Sequence, residues 1–395
     1  MLLKENPLCK LLGIRYPIIQ AGMAGQTTAE LVAAVSNAGG LGVLGATRMT
    51  SEKLLNTIRK IKMITTKPYG VNLWLGPQDG KKKNNIDHDD ILSVQQFLDE
   101  KFRKPLGIPL KSVSLSENGA KDFTVPPSWI FSEQLKIMLE EKVPVASFAM
   151  GDPVKYVDKI HSAGCKIVSM VTNVEDAISV AKNGSDIVMA QGAEAGGHRS
   201  VFANNNTLGK DDDTYEDDDN NIPLVGTIAL VPQIVDALIK ETQERFIPVV
   251  AAGGIADGRG LVAALALGAS GIALGTRFLV CRESGALQGY RERLLYSNET
   301  NTVVTKAFTG VPARVLRNAF VKEYAKSELE SLGWHLQRLI ANDIYENAQT
   351  KDDSNYYPLY SGQALRLLKR NQSAEEIVNE IMMQAKECLS TLERQ

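Results

Sequence analysis

The sequence predicts an α/β protein: a (β/α)8 TIM barrel with a small helical domain inserted after strand eight. Short apolar runs alternate with helical patterns from the N-terminus to about residue 280, which is typical of βα units around a parallel sheet. Eight such runs are present, the number that a barrel of about 250 residues needs. The chain has 395 residues, so there is room for one barrel and an addition.

The eight predicted strands follow from apolar runs bounded by glycine, proline or polar residues. In order they are residues 17–21, 40–44, 69–73, 143–148, 166–171, 187–190, 248–252 and 271–274. The predicted helices are 28–37, 51–63, 90–102, 131–141, 153–163, 174–182, 227–239 and 258–267. Every strand except the last is followed closely by a helix, and the glycine pair at 39–40 ends the first helix as a C-cap would.

Two stretches interrupt the barrel pattern. Residues 75–130 form a long excursion that holds little besides the 90–102 helix. Residues 204–221 are polar and acidic, with aspartate runs at 211–213 and 217–219. Such a composition favours a solvated, disordered loop, and a lid or regulatory role is the alternative.

The C-terminal third predicts the remaining organisation. Residues 281–358 lose the strand pattern and predict helices such as 319–328 and 332–344. An amphipathic pattern at 373–393 predicts a helix that returns to close the barrel wall. The expected division is therefore a barrel at 1–280, a helical insertion domain at 281–358, and a C-terminal segment at 359–395 that returns to the barrel.

Charge and cysteine content exclude several classes of function. Lys plus Arg is 44 and Asp plus Glu is 46, so no nucleic-acid or membrane partner is expected. The four cysteines are far apart, which favours neither a metal site nor a disulfide framework. The N-terminus resembles neither a signal nor a transit peptide, and no run of about 18 apolar residues exists. A soluble cytoplasmic protein is expected, and the oligomeric state stays open.

Two glycine loops predict a phosphate site. Gly253 and Gly254 follow strand seven, and Gly275 and Thr276 follow strand eight. Loops after these two strands commonly bind phosphate in barrels, and both offer backbone N–H groups without a side-chain obstruction. Neither loop is a Walker loop, and no dinucleotide fingerprint follows strand one.

Other strand ends offer partners for a flat ring. Met23 can pack beneath such a ring, while Asn72 and Gln191 can donate to it and accept from it. Gly196 lies in the loop after strand six, where backbone can approach a flat ligand closely. Together with the phosphate loops, these residues predict a pocket for flavin mononucleotide, FMN.

The loop after strand six also carries His198, beside Gly196 and Gly197. A histidine in such a loop is a plausible proton acceptor near neutral pH. A purely structural role is the alternative for a single loop histidine.

Five segments form a recognisable set of motifs: PIIQA at 17–21, TTAELVAAVSNAGGLG at 27–42, YGVNL at 69–73, AQGAEAGGHR at 190–199 and AAGGIADGRG at 251–260. With these motifs the chain resembles the nitronate monooxygenases, formerly called 2-nitropropane dioxygenases. The resemblance extends over about residues 7–320, and the late segment 361–363 also looks like part of the family's pocket.

This resemblance implies an FMN enzyme that oxidises alkyl nitronates with O2 to a carbonyl compound and nitrite. It assigns His198 as the active-site histidine, a base toward neutral nitroalkanes where these are accepted. It also implies that Asn72, Gln191, Gly196, Gly254, Gly275 and Thr276 contact the flavin.

Two departures and two alternatives accompany the resemblance. Gly22 stands where many members have proline, which predicts looser packing under the flavin, and the acidic insert is longer than expected. A sister group, the FMN-dependent enoyl-acyl carrier protein reductases, shares the glycine-glycine-histidine loop and uses NAD(P)H; the Ala190-Gln191 and His198-Arg199 pairs favour the nitronate enzymes. A non-catalytic flavin or phosphate binder is the alternative from a different class.

Overall fold

A computed structural model describes residues 5–75, 88–110, 128–200, 202, 224–242, 245–333 and 336–394. The acidic segment 204–221 and parts of the 75–130 excursion lie outside the described residues, so the predictions made for them stay predictions.

Eight parallel strands close into a barrel, in the order β1-β2-β3-β4-β5-β6-β8-β9. The barrel strands are β1 Ile18–Gln20, β2 Leu41–Gly45, β3 Tyr69–Trp74, β4 Val145–Ala149, β5 Lys166–Val171, β6 Ile187–Gln191, β8 Val249–Ala252 and β9 Gly271–Leu274. Closure is made by β1, which pairs with β2 on one side and with β9 on the other. The predicted TIM barrel is confirmed, and every strand lies within two residues of its predicted bounds.

Helices surround the barrel and extend beyond it. They are α1 Pro7–Leu12, α2 Ala29–Ala38, α3 Ser51–Ile64, α4 His88–Leu98, α5 Lys104–Leu106, α6 Ser128–Glu140, α7 Val157–Ser162, α8 Val174–Lys182, α9 Thr227–Glu241, α10 Gly258–Ala266, α11 Thr276–Leu279, α12 Gln288–Tyr296, α13 Ala319–Lys326, α14 Leu336–Thr350 and α15 Ala374–Leu392. A π-helical turn, Asp99–Arg103, joins α4 to α5. Leu8 and Leu12 of α1 pack in one apolar cluster with strand residues such as Ile19 and Val250.

The helix α15 occupies the place of the helix that should follow the eighth barrel strand. It packs between α10 and α2, the helices that follow β8 and β1. Ser373 begins the helix with a capping box. The Ser373 side chain accepts from the N–H of Glu376, and the Glu376 side chain accepts from the N–H of Ser373. Apolar side chains from Ile377 to Ala385 are buried in the cluster that lines this part of the barrel wall.

Glu380 ties α15 to the loop after β9. Its carboxylate accepts hydrogen bonds from Arg277 at 3.0 Å and from Gln372 at 2.7 Å, and it pairs with Lys369. Burial alone would raise the pKa of Glu380, but the hydrogen bonds from Gln372 and Lys369 and the charges of Lys369 and Arg277 lower it.

The segment after β9 is not purely helical, so the expected absence of strands in 281–358 is wrong. β10 Thr302–Thr305 and β11 Ala313–Leu316 form an antiparallel pair. β11 also pairs with β7, Gly197–His198, which lies in the loop after β6. The runs TVVT and ARVL are too short to stand out as strands in a helix-rich sequence, and pairing with the barrel loop stabilises them.

A second apolar core accompanies this sheet. It includes buried residues of α4, α12, α13 and α14, among them Leu98, Leu294, Phe320 and Ile340. Arg103, which belongs to the excursion, adds a buried ion pair to this core. It is fully buried and pairs with Asp99 at 2.7 Å and with Asp343 of α14 at 2.8 Å. The 88–106 helices therefore pack with the C-terminal addition, although the sequence predicted them inside the 1–280 unit; the three-part division of the chain remains a proposal.

Candidate active site

The predicted site residues lie at the carboxyl ends of the barrel strands. Met23 follows β1, Asn72 lies in β3, Gln191 ends β6, and the two glycine loops follow β8 and β9. Because the strands are parallel, these ends meet at one mouth of the barrel, which is where barrel enzymes build their sites.

Close contacts connect these residues around one side of the mouth. A Cβ atom on Gly275 would lie 3.6 Å from the sulfur of Met23, and no other atom of the described residues outside its own neighbours lies within 4 Å. A Cβ on Gly22 would lie 2.7 Å from the Cβ of Asn72. Gly22 therefore allows a close approach to Asn72. The looser packing expected under a flavin stays a prediction.

Contacts on the other side involve the late segment 361–363. A Cβ on Gly196 would lie 2.4 Å from the backbone nitrogen of Gly362. The N–H of Gly362 donates to the Thr276 hydroxyl at 2.9 Å, and the N–H of Gln363 donates to the carbonyl of Glu194 at 3.0 Å. This segment therefore joins the His198 loop to the loop after β9.

The two glycine loops present backbone donors. Gly253 and Gly254 have φ of 121° and 69°, a conformation that favours glycine. Among the described residues, no acceptor faces the N–H groups of Gly254, Ile255, Gly275 and Thr276. Four donors without acceptors at neighbouring strand ends suit an anion such as a phosphate.

The space beside Gly275 fits a ligand better than the space beside Gly254. A Cβ on Gly275 would enter an open space next to Met23, whereas one on Gly254 would lie 3.3 Å from the Cβ of Glu194. Thr276 accepts from Gly362 and keeps its own hydroxyl proton for a further acceptor. Gly275 and Thr276 are thus placed to hold a phosphate, and substitutions at Gly254 would act through backbone strain.

The amides of Asn72 and Gln191 differ in what they can still bind. Asn72 is buried and donates to Ser147, at 3.1 Å to the hydroxyl and 3.3 Å to the carbonyl. Its carbonyl oxygen has no partner among the described residues and can accept from a ring N–H. Gln191 donates to the carbonyl of His198 at 2.9 Å and accepts from the N–H of Ser200 at 3.0 Å. These two hydrogen bonds of the Gln191 amide fix the His198 loop.

Two buried arginines hold the same loop. Arg199, 0% exposed, donates to the carbonyls of Gly192 at 2.7 Å and Gln191 at 2.9 Å. Arg314, 8% exposed, donates to the carbonyl of Ala193 at 2.8 Å. Burial, followed by repulsion from Arg314, lowers the pKa of Arg199 to about 10, against the attraction of Glu194. Both groups therefore stay charged at neutral pH, and three successive carbonyls are fixed.

Glu194 anchors the front of the loop to α9. Its carboxylate accepts from the N–H of Thr227 at 2.9 Å and from the Thr227 hydroxyl at 2.9 Å. The same hydroxyl is 3.0 Å from the carbonyl of Gly253. The His198 loop and the first glycine loop are thus connected through one threonine.

The His198 ring is held by groups that the sequence did not indicate. Its Nε2 atom lies 3.0 Å from the hydroxyl of Thr309. Trp74 meets the ring edge-on with centroids 4.7 Å apart, and Tyr360 lies at 5.1 Å. Burial raises the pKa of Tyr360, so its phenol is neutral beside the imidazole.

Only one of these three partners carried a usable signal in the sequence. Trp74 is two residues beyond Asn72 and so shares its face of β3, which the period of a strand would have shown. Thr309 and Tyr360 come from the addition after β9, and no local pattern indicates that they reach His198.

No helix in the described ranges is both long and apolar enough to cross a lipid bilayer. No group of three or more His, Cys, Asp or Glu within those ranges is arranged to hold a metal ion.

Comparisons with known proteins were made for the sequence and for the structure. The model of the family described as nitronate monooxygenase matches residues 5–384. A probable nitronate monooxygenase of Staphylococcus saprophyticus is 37% identical over 381 residues, which cover 96% of this chain and 97% of that protein. One from Staphylococcus haemolyticus is 36% identical, covering 98% of this chain and 99% of that protein.

Solved structures share the fold over nearly the whole chain. A nitroalkane oxidase from Streptomyces ansochromogenes is 29% identical with a TM-score of 0.80, covering 98% of this chain and 99% of that one. FabK from Thermotoga maritima is also 29% identical, with a TM-score of 0.72 and 98% of each chain covered.

Proposed function

Because the chain belongs to the nitronate monooxygenase family, an oxidoreductase family, we propose that it is an FMN-dependent nitronate monooxygenase. The proposed reaction oxidises alkyl nitronates with O2 to a carbonyl compound and nitrite, and neutral nitroalkanes are further candidate substrates. Family membership implies a flavin; the identity of the flavin and the reaction are the proposal.

The donors of the two glycine loops are the observation that carries the FMN assignment. The N–H groups of Gly254, Ile255, Gly275 and Thr276 lack acceptors among the described residues, and the Thr276 hydroxyl adds a fifth donor. Hydrogen bonds to a charged group contribute about 1.5–3 kcal/mol each. A flavin with a phosphate therefore fits this cradle better than riboflavin, and we propose that Met23, Asn72 and Gly196 contact its ring.

When bound, FMN supplies the electron acceptor for the nitronate and a site at which O2 can react. The protein's own residues bind, orient and move protons. His198 lies at the mouth between Trp74 and Tyr360, where it can accept a proton from the carbon of a neutral nitroalkane. A nitronate has already lost that proton and needs only to be bound.

The charges beneath the His198 loop favour an anionic substrate. Arg199 and Arg314 carry two positive charges there, and Glu194 supplies one negative charge. Charges in a poorly solvated loop act more strongly than exposed ones. This balance supports a nitronate, which is an anion, over a neutral double-bond substrate.

Proposed partners are the nitronate and O2, with no nucleic acid and no membrane. We also propose the cytoplasm as the compartment, since all four cysteines are free and two of them, Cys165 and Cys281, are buried.

The test compares two reductants under anaerobic conditions. Purified protein reconstituted with FMN is mixed by stopped flow with a primary alkyl nitronate or with NADPH, and flavin bleaching is followed. We expect fast reduction by the nitronate, and oxygen uptake and nitrite release under air. Reduction by NADPH alone would overturn the proposal in favour of the enoyl-acyl carrier protein reductase alternative. Reduction by neither would favour a non-catalytic flavin binder.

A further inference from the structure

The hydroxyl of Thr309 makes two contacts that constrain the His198 ring. Thr309 lies in the turn between β10 and β11, with its oxygen 3.0 Å from Nε2 of His198 and 3.3 Å from the carbonyl oxygen of Val311. A carbonyl oxygen only accepts, so the single hydroxyl proton goes to Val311. Both contacts are satisfied together only when Nε2 of His198 carries a proton and donates it to Thr309.

We infer that Thr309 is a positioning residue that holds the neutral His198 ring as the Nε2–H tautomer. In neutral imidazole one nitrogen donates and the other accepts, and a neighbouring group decides which. A base in the wrong tautomer presents a donor where an acceptor is needed.

The turn that carries Thr309 is fixed by α14. The side chain of Gln337 donates to the carbonyl of Ala307 at 2.8 Å, and the hydroxyl of Tyr345 donates to the carbonyl of Phe308 at 3.2 Å. Gly310 has a φ of 74°, and a Cβ there would lie 2.1 Å from the carbonyl oxygen of Leu332. The turn therefore packs directly on neighbouring backbone, and the Thr309 hydroxyl has little freedom to move away from the ring.

The histidine has further contacts that fix its backbone and its ring. Its backbone pairs with Ala313 of β11, and its carbonyl accepts from Gln191. Trp74 and Tyr360 contact the ring from two further directions. Since both partners of the 3.0 Å contact are held by other parts of the protein, the contact is pre-formed and does not require a substrate.

The tautomer can be measured without any turnover. The holoprotein is labelled with 15N-histidine, and the two ring nitrogens of His198 are observed by NMR at a pH where the ring is neutral. The chain has four histidines, so the His198 signals are those missing from H198N. We expect the protonated nitrogen to be Nε2.

Two variants test the role of Thr309. Thr309→Val keeps the shape and removes the hydroxyl, and Thr309→Ser keeps the hydroxyl. The ratio of the Nε2–H to the Nδ1–H tautomer should fall by roughly fivefold to tenfold in the valine variant, and stay as in the wild type with serine. An Nδ1–H tautomer in the wild type, or a ratio unchanged by valine, would overturn the inference.

The kinetic arm rests on the proposed function. In T309V, kcat/KM for a neutral nitroalkane should fall about tenfold or more while that for its nitronate stays within about twofold, and T309S should restore the first value. Equal losses on both substrates, at wild-type FMN content, would overturn the positioning role of Thr309 in proton transfer. A protein that oxidises neither substrate would defeat the proposed function, and the NMR measurement would still decide the tautomer.

Discussion

Gly275 is the position at which one added side chain should separate flavin binding from folding. Its φ is −104°, which any residue adopts, and within the described part of the chain an added Cβ would meet only the sulfur of Met23, at 3.6 Å. Alanine is therefore accommodated at this position. Valine adds two further carbons in the open space beside the N–H groups of Gly275 and Thr276, where the phosphate is proposed to bind.

The size of the effect follows from the donors that valine would block. Losing two hydrogen bonds to a charged phosphate costs about 3–6 kcal/mol, or roughly a 10²- to 10⁴-fold increase in the Kd for FMN. Riboflavin has no phosphate, so its weaker binding should change much less in the same variant.

The assay is a titration of apoprotein followed by flavin fluorescence, for the wild type, Gly275→Ala and Gly275→Val, with FMN and with riboflavin. Thermal unfolding of the three apoproteins serves as the folding control, because a bound ligand would itself raise Tm. We expect alanine to resemble the wild type and all apoproteins to melt alike. A valine variant that binds FMN with a Kd within about threefold of the wild type would refute the phosphate site.

Three further predictions concern the base, the closing helix and its cap. His198→Asn should lower turnover of a neutral nitroalkane by about 10²- to 10⁴-fold and nitronate turnover far less, with FMN retained; equal losses in steady-state assays would contradict the role as base. Glu380→Gln should destabilise the protein above about pH 4.5, the ordinary pKa of a glutamate. Because the pKa of Glu380 is lowered in the folded protein, the stability difference between variant and wild type should vanish as the pH falls through that lowered pKa. Urea unfolding across pH checks this, and a difference that does not change with pH would contradict it. Ser373→Ala should cost about 1 kcal/mol of unfolding free energy in the same urea assay while Ser373→Asp keeps the cap; equal stabilities for both would argue against the capping box.

The barrel could be predicted because its signals are local. Each strand is an apolar run ended by glycine, proline or polar residues. Because a parallel strand is buried on both faces, it can be recognised as an apolar run without knowing which strands it pairs with. The glycine loops were predictable for a similar reason: a position such as Gly253, with a φ of 121°, is restricted to glycine by its own backbone. Both the apolar runs and the glycine positions can be recognised in a single sequence.

The addition after β9 could not be predicted to the same degree. β10 and β11 have four residues each, and the pairing of β11 with Gly197–His198 joins segments more than one hundred residues apart. Such pairing depends on the closed barrel that brings the two segments together, and no propensity within either run encodes it.

The same argument explains why the sequence indicated His198 and not its partners. His198 lies in a glycine-rich loop after a strand, which is a local pattern. Thr309 reaches it from 111 residues away, and its own turn is positioned by Gln337 and Tyr345 of α14. The proposed base therefore belongs to the barrel, while the group proposed to set its tautomer belongs to the addition. Substitutions in α14 that leave the flavin loops untouched should therefore alter proton transfer while flavin binding stays largely unchanged.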